Sequence, residues 1–306
     1  MGLSTTEDAN ALKTATEAIR NVSTIHENPV HELPERPVVI IEPRKIQVTN
    51  ELRDVWAYRE LLYFLTWRDV KVRYKQTVLG VAWVILQPLA STIIFTIFLG
   101  RLARVPSNGV PYPLLVYAGL LPWTFFATAL IGAATSLVGS AHLITKIYFP
   151  RLIIPISAVA ARLPDFAISL VILIGMMIYY RVPITPNLFL LPLLIVILVF
   201  LTLGFGLFCA ALNVKYRDVG VMLPVLIQLG MFVSPVVYST TLVPARWRLI
   251  FSLNPLVGII DGFRAALIAQ PLNWPAVAFS AIFTIALLIL SAYIFRGVER
   301  GFADIV

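Results

Sequence analysis

Between Lys75 and Arg101 the chain carries no formal charge, and this stretch constrains the fold more than any other. It is long enough to cross a hydrocarbon layer of about 30 Å as one helix of about 20 residues. Just before it, residues 58–75 hold Arg59, Glu60, Arg68, Asp69, Lys71, Arg73 and Lys75, interleaved with Tyr58, Tyr63, Trp67 and Tyr74. Cations beside a first span favour the cytoplasmic side, so this junction orients the chain. At 100° per residue the charged segment shows two apolar seams. Trp56, Tyr63, Trp67, Val70 and Tyr74 form one; Tyr58, Leu61, Leu65 and Val72 lie nearly opposite. Such a helix suits the headgroup region. It is either a basic anchor that only sets topology or a helix whose second seam grips the membrane domain.

Hydrophobic residues make up 59% of the chain and charged residues 13%, with mean hydropathy +0.86. That balance, with repeated charge-free runs, predicts an all-α polytopic membrane protein. The alternation of a membrane β-barrel is absent. Six spans are predicted at about 81–99, 114–138, 153–180, 188–212, 219–238 and 276–295, with Pro88 kinking the first. Residues 1–50 are polar and predict a flexible tail, and residues 51–306 form one transmembrane domain with an interface helix over 54–75. Residues 1–44 hold no apolar core segment, so no cleavable signal peptide is expected.

With the N-terminus inside, basic residues on the cytoplasmic side outnumber those outside, and both termini are cytoplasmic. The net charge of +8 belongs to helix ends, with no basic domain to suggest nucleic acid. The single Cys209 excludes an intrachain disulfide, and His26, His31 and His142 do not make a metal cluster.

Two connections stand out. The loop at 142–151 runs His142, Leu143, Ile144, Thr145, Lys146, Ile147, Tyr148, Phe149, Pro150, Arg151. It reads as a short helix exposing apolar side chains at the cytoplasmic surface, as a docking site or as a lipid-anchored loop. The segment at 240–275 is apolar and punctuated by Pro244, Pro255, Pro271 and Pro275. Its two short helical stretches fit a re-entrant hairpin, or a pair of helices lying on the surface.

Charges inside apolar chain call for a reason. Arg162 and Asp165 are three residues apart and can pair on one helix face, either to stabilise a kink next to Pro164 or to meet substrate. Asp261 and Arg264 repeat the spacing in the re-entrant stretch. No GxxxxGK[ST] run, nucleophile triad or paired carboxylates suggest bond-making chemistry.

Read in order, YRELLYFLTWRDVKVRYKQTVLGVAWVILQP, VPYPLLVYAGLLPWTFF, LITKIYFPRLIIP, ALNVKYRDVG, SPVVY and LNPLVGIIDGFRAAL resemble the permease subunit of bacterial ABC-2-type polysaccharide exporters, the group that includes O-antigen and teichoic acid exporters. The likeness covers residue 52 to the C-terminus. It implies a homodimer in the bacterial inner membrane, with two copies of a cytoplasmic ATPase subunit that binds ATP and Mg, and no cofactor on this chain. It implies a lipid-linked polysaccharide as cargo. Residues 58–75 would be the interface helix, 142–151 the coupling helix on the ATPase, and 240–275 the re-entrant helices. Phe125, Phe126, Tyr238 and Trp247 would line a sugar path or serve as aromatic belt residues. An ABC-2 drug or lipid exporter keeps the fold with another cargo; an ion-coupled carrier would need internal repeats, which are not evident.

Overall fold

The computed structural model describes residues 53, 55–75, 80–107, 109–146 and 149–299, which lie in one compact unit, Gln47–Val306. The predicted tail at 1–50 lies outside the described residues. Among the described residues every regular element is helical. The elements are α1 (Arg59–Lys75), α2 (Gly80–Phe95) continuing as a π-helix over Thr96–Leu102, α3 (Tyr112–Gly139), α4 (Ala141–Lys146), α5 (Ile153–Ala160) and α6 (Leu163–Tyr179). There follow a 3₁₀ turn at Pro186–Leu190, α7 (Leu191–Lys215), α8 (Asp218–Val233), α9 (Ala245–Ser252), α10 (Pro255–Leu267) and α11 (Trp274–Glu299).

Five stretches are long and apolar enough to cross a membrane: Ala82–Leu102, Tyr112–Gly139, Ile153–Tyr179, Pro186–Lys215 and Trp274–Glu299. A sixth is reached if the pair Arg246–Ser252 and Pro255–Leu267, bent by 95°, counts as one span. The protein is therefore a multi-pass, all-α membrane protein.

Helix α3 is the pivot. Its 28 residues reach about 42 Å, and Leu114, Tyr117, Ala129, Ala133, Ala134 and Leu137 are fully enclosed. Small residues set its approach to α7: a Cβ on Gly206 would come 2.7 Å from the Ala133 methyl. Close backbone contact of this kind is how helices associate where lipid supplies no hydrophobic drive. Hydroxyls inside the spans bond their own helices, as Thr92 does to the Pro88 carbonyl (2.7 Å) and Thr202 to that of Leu198 (2.7 Å).

Proline decides where the predicted spans are interrupted. The third span, expected continuous, stops at Ala160 and restarts at Leu163. Pro164 lacks an N–H for the Ala160 carbonyl and clashes with it, so the chain starts a new helix with Pro164 in its first turn. The fifth, expected to Tyr238, ends at Val233 because Pro235 disfavours helix at Ser234. Pro88, expected to kink the first span, sits inside unbroken α2; the departure from α geometry comes later, at Thr96–Leu102.

Helix α10 is apolar and buried along nearly all its length. Asn254 caps it, accepting from the Leu256 N–H (3.0 Å), and donates to Ser234 Oγ (2.9 Å) at the end of α8. Gly258 is required where α10 meets α11, since a Cβ would stand 2.2 Å from the Ala276 carbonyl oxygen.

Candidate functional site

One end of the bundle gathers the loop at 142–151 and helix α1 into a single apolar layer. Phe149, 7% exposed, packs with Leu65 of α1, Leu137 of α3, Ile153 of α5, Val214 of α7 and Phe295 of α11. Arg151 donates from Nη1 to the Glu299 carbonyl. Both side chains thus seat the loop in the bundle, where an outward apolar surface had been expected. Helix α4 exposes His142 and Lys146, with Leu143, Ile144 and Pro150 half-buried. Ile147 and Tyr148 lie outside the described residues. Asn213, buried at the foot of α7, donates to the Ala134 carbonyl (3.0 Å) and accepts from the Gly220 N–H (2.9 Å), tying the α7–α8 turn to α3.

Helix α1 grips the bundle through Leu61, Leu62 and Leu65. Tyr58 and Val72, assigned to the same seam, remain exposed, because the contact face is centred nearer Leu62 and Asp69. Trp56, Tyr63 and Trp67 point away, with Arg59 over the Trp56 ring at 6.0 Å and Lys71 exposed. Arg68 donates from Nε and Nη2 to its neighbour Asp69.

At the end of α1, Arg73 donates from Nη1 to Asp165 Oδ2 (2.7 Å), and Tyr74 donates to Asp165 Oδ1. Burial, then the bond to Asp165, pushes the Tyr74 phenol up to about 12, so it stays a donor near neutral pH. The expected Arg162–Asp165 pair is loose, at 3.9 Å. Arg162 occupies the break before α6 while Asp165 lies in its first turn, so the two do not stack as they would inside one helix. Between α1, α2, α3 and α6 lies a cavity of about 230 Å³ lined by Arg73, Gln87, Phe125, Thr128, Arg162 and Asp165, among others. The polar side chains Gln87, Thr124, Thr128 and Ser169 were not singled out in the sequence; the signal was their place inside otherwise apolar spans.

The second predicted pair serves differently. Arg264, 2% exposed, donates from Nη1 to the Tyr238 carbonyl (2.9 Å) and from Nη2 to those of Val236 (2.9 Å) and Leu115 (3.3 Å). Asp261 stands 3.9 Å away and accepts from Thr240 Oγ1 at 2.7 and 2.6 Å. Residues 234–238 have left the helix, so their carbonyls need outside donors in an apolar setting, and Arg264 supplies them. Tyr112 adds a fourth tie, donating to the Val237 carbonyl (2.8 Å).

Of the four aromatics, Phe126 is core, edge-on to Phe205 at 5.8 Å. Phe125 packs against Phe166 at 5.3 Å and borders the cavity. Tyr238 is half-buried and donates to the Phe232 carbonyl (3.0 Å). Trp247 is 51% exposed beneath Arg246. The structure does not bring the four together.

Residues 60–268 match the ABC-2 type transporter family. The chain is 30% identical over 257 residues to the O-antigen export system permease protein RfbA of Myxococcus xanthus, covering 83% of this chain and 98% of that one. It is 29% identical over 248 residues to the protein of that name from Klebsiella pneumoniae, covering 81% and 95%. The polysialic acid transport protein KpsM of Escherichia coli is 22% identical over 243 residues, covering 76% and 92%. These relatives are transport proteins, and the helical architecture above is that of a membrane subunit. The chain belongs to the ABC-2 type transporter family.

Proposed function

We propose that the chain is the membrane subunit of an ATP-driven exporter that moves a lipid-linked polysaccharide, of the O-antigen kind, across the bacterial inner membrane. The observation that carries this reading is the alignment with an O-antigen export permease over 98% of that relative's length. Two copies would enclose the passage, each beside one copy of a separate cytoplasmic ATP-binding subunit. The chain contains no GxxxxGK[ST] phosphate loop, which fits this division of labour, and we assign ATP and Mg to that subunit.

The Phe149 end is read as cytoplasmic, with both termini on that side. It carries Lys71, Arg73, Lys146, Arg151, Lys215 and Arg217, an excess expected inside. Exposed His142 and Lys146 on α4 form the surface offered to the ATP-binding subunit. A push on α4 would pass through Phe149 to Leu65 on α1 and Phe295 on α11, because all three share one packed layer. The exposed apolar faces of α2 (Trp83, Ile93, Ile94) and α8 (Val225, Leu229, Phe232) would meet the second copy or lipid. The bent pair α9–α10 would be re-entrant from the opposite side.

The test is deletion of the gene, followed by fractionation of lipid-linked glycan between the inner face of the membrane and the cell surface. Glycan accumulating inside, restored to the surface by the wild-type gene, supports polysaccharide export. Normal surface glycan would instead turn the reading toward export of a drug or lipid by the same fold.

A further inference from the structure

Arg162 brings five N–H donors to the turn between α5 and α6, and among the described residues none of them meets a hydrogen-bond acceptor. Its nearest carboxylate, Asp165, already accepts from Arg73 and Tyr74 and stands 3.9 Å away. Its Nε is shut off from solvent. A buried guanidinium nitrogen without an acceptor is costly, and such groups are rare enough to require an explanation. Arg162 also lines the cavity described above.

The lining of that cavity mixes two chemistries. Arg73, Arg162, Gln87 and Thr128 supply polar groups, while Trp83 and Phe125 supply apolar surface. Arg73 and Arg162 bring two cations to this lining against the one carboxylate of Asp165, which suits an anion. At about 230 Å³ the space is smaller than the ~300–1,000 Å³ clefts that enclose whole small molecules, so it suits a headgroup. Trp83, one of its walls, is 55% exposed on the outer surface of α2, which puts an edge of the cavity on a face that lipid or the second copy would cover.

We infer that this cavity is a phosphate-ester site, in which Arg162 donates its planar fork to the phosphate oxygens and the Trp83–Phe125 side takes the adjoining hydrocarbon. Guanidinium geometry matches a phosphate bidentately, and anions bordering a bilayer are mainly phosphate esters. Asp165 holds Arg73 in place beside the site. Under the export reading, and resting on it, the site would recognise the phosphate joining a lipid to its cargo. Binding itself does not depend on that reading.

The test uses the purified full-length chain in neutral detergent and native mass spectrometry with three probes: dihexanoyl phosphatidylglycerol, inorganic phosphate and dihexanoylglycerol. The phosphatidylglycerol should bind, the uncharged diacylglycerol should bind far more weakly, and Arg162→Gln should lower the first affinity on the order of tenfold. Thr128→Leu fills the cavity from α3, where the native hydroxyl bonds only carbonyls of its own helix, and should lower it too. It decides the matter should Arg162→Gln fail to fold. Inorganic phosphate bound with the same Arg162 dependence would identify the phosphate alone as the ligand; binding of the lipid only would identify the headgroup. Phosphatidylglycerol affinity unchanged in both variants, or equal to that of the diacylglycerol, overturns the site. Because no step of export is measured, such a failure leaves the transport reading standing.

Discussion

Arg264 and Arg162 each stand 3.9 Å from an aspartate three residues away, in otherwise apolar chain. Arg264 donates to three backbone carbonyls, and its aspartate is held by Thr240. Arg162 donates to none, and its aspartate is held by another helix. The same spacing therefore yields a structural staple in one place and an unsatisfied cation beside a cavity in the other. What separates them is the backbone nearby. Residues 234–238 leave helix and present carbonyls that must be met, whereas the break at residues 161–162 lasts too briefly to present a comparable set. Counting hydrogen bonds distinguishes a fold-bearing charge from one free for a ligand; counting ion pairs does not.

The contrast can be broken by stability measurements on detergent-purified variants. Arg264→Ala should be the most damaging, costing about 3–5 kcal/mol, since it leaves the Val236, Tyr238 and Leu115 carbonyls without their donor; a melting temperature near wild type would remove the staple. Gly119→Ala probes the same place from α3, where a Cβ would stand 2.1 Å from the Val236 oxygen. It should cost roughly 1–3 kcal/mol, read as a lowered Tm and poorer membrane yield. Asp165→Asn should cost about 1–2 kcal/mol and raise hydrogen exchange in α1, because Arg73 and Tyr74 lose their charged acceptor. Exchange unchanged there would mean that Asp165 does not help to hold α1. Arg162→Gln should change stability least, within about 0.5 kcal/mol. A large loss would place Arg162 beside Arg264 as a structural residue.

Much of this architecture was legible in the order of residues. Charge-free runs located four of the spans, a fifth is apolar apart from Arg162 and Asp165, and the seam of Leu61 and Leu65 pointed to the face on which α1 packs. Prolines stand at the interruptions at residues 164 and 235, yet both spans read as continuous, since sequence does not say whether a proline is absorbed, as at Pro88 and Pro122, or ends a helix. The candidate site was legible only by halves. Arg162 and Asp165 drew notice as intramembrane charges, yet their relation to Arg73 and Tyr74 spans about ninety residues and depends on how α1 lies along α5. Phe149 shows the same limit: an aromatic between basic residues reads as exposed until the layer formed by Leu65, Val214 and Phe295 is assembled around it.

The account stands most directly on transport itself, which inverted inner-membrane vesicles from wild-type and deletion cells can report. ATP added outside such vesicles reaches the cytoplasmic face, and lipid-linked glycan moved into the lumen becomes resistant to an added glycosidase. The account predicts ATP-dependent protection in wild-type vesicles, none from the deletion strain, and recovery when the gene is restored. Equal protection with and without this chain would contradict it.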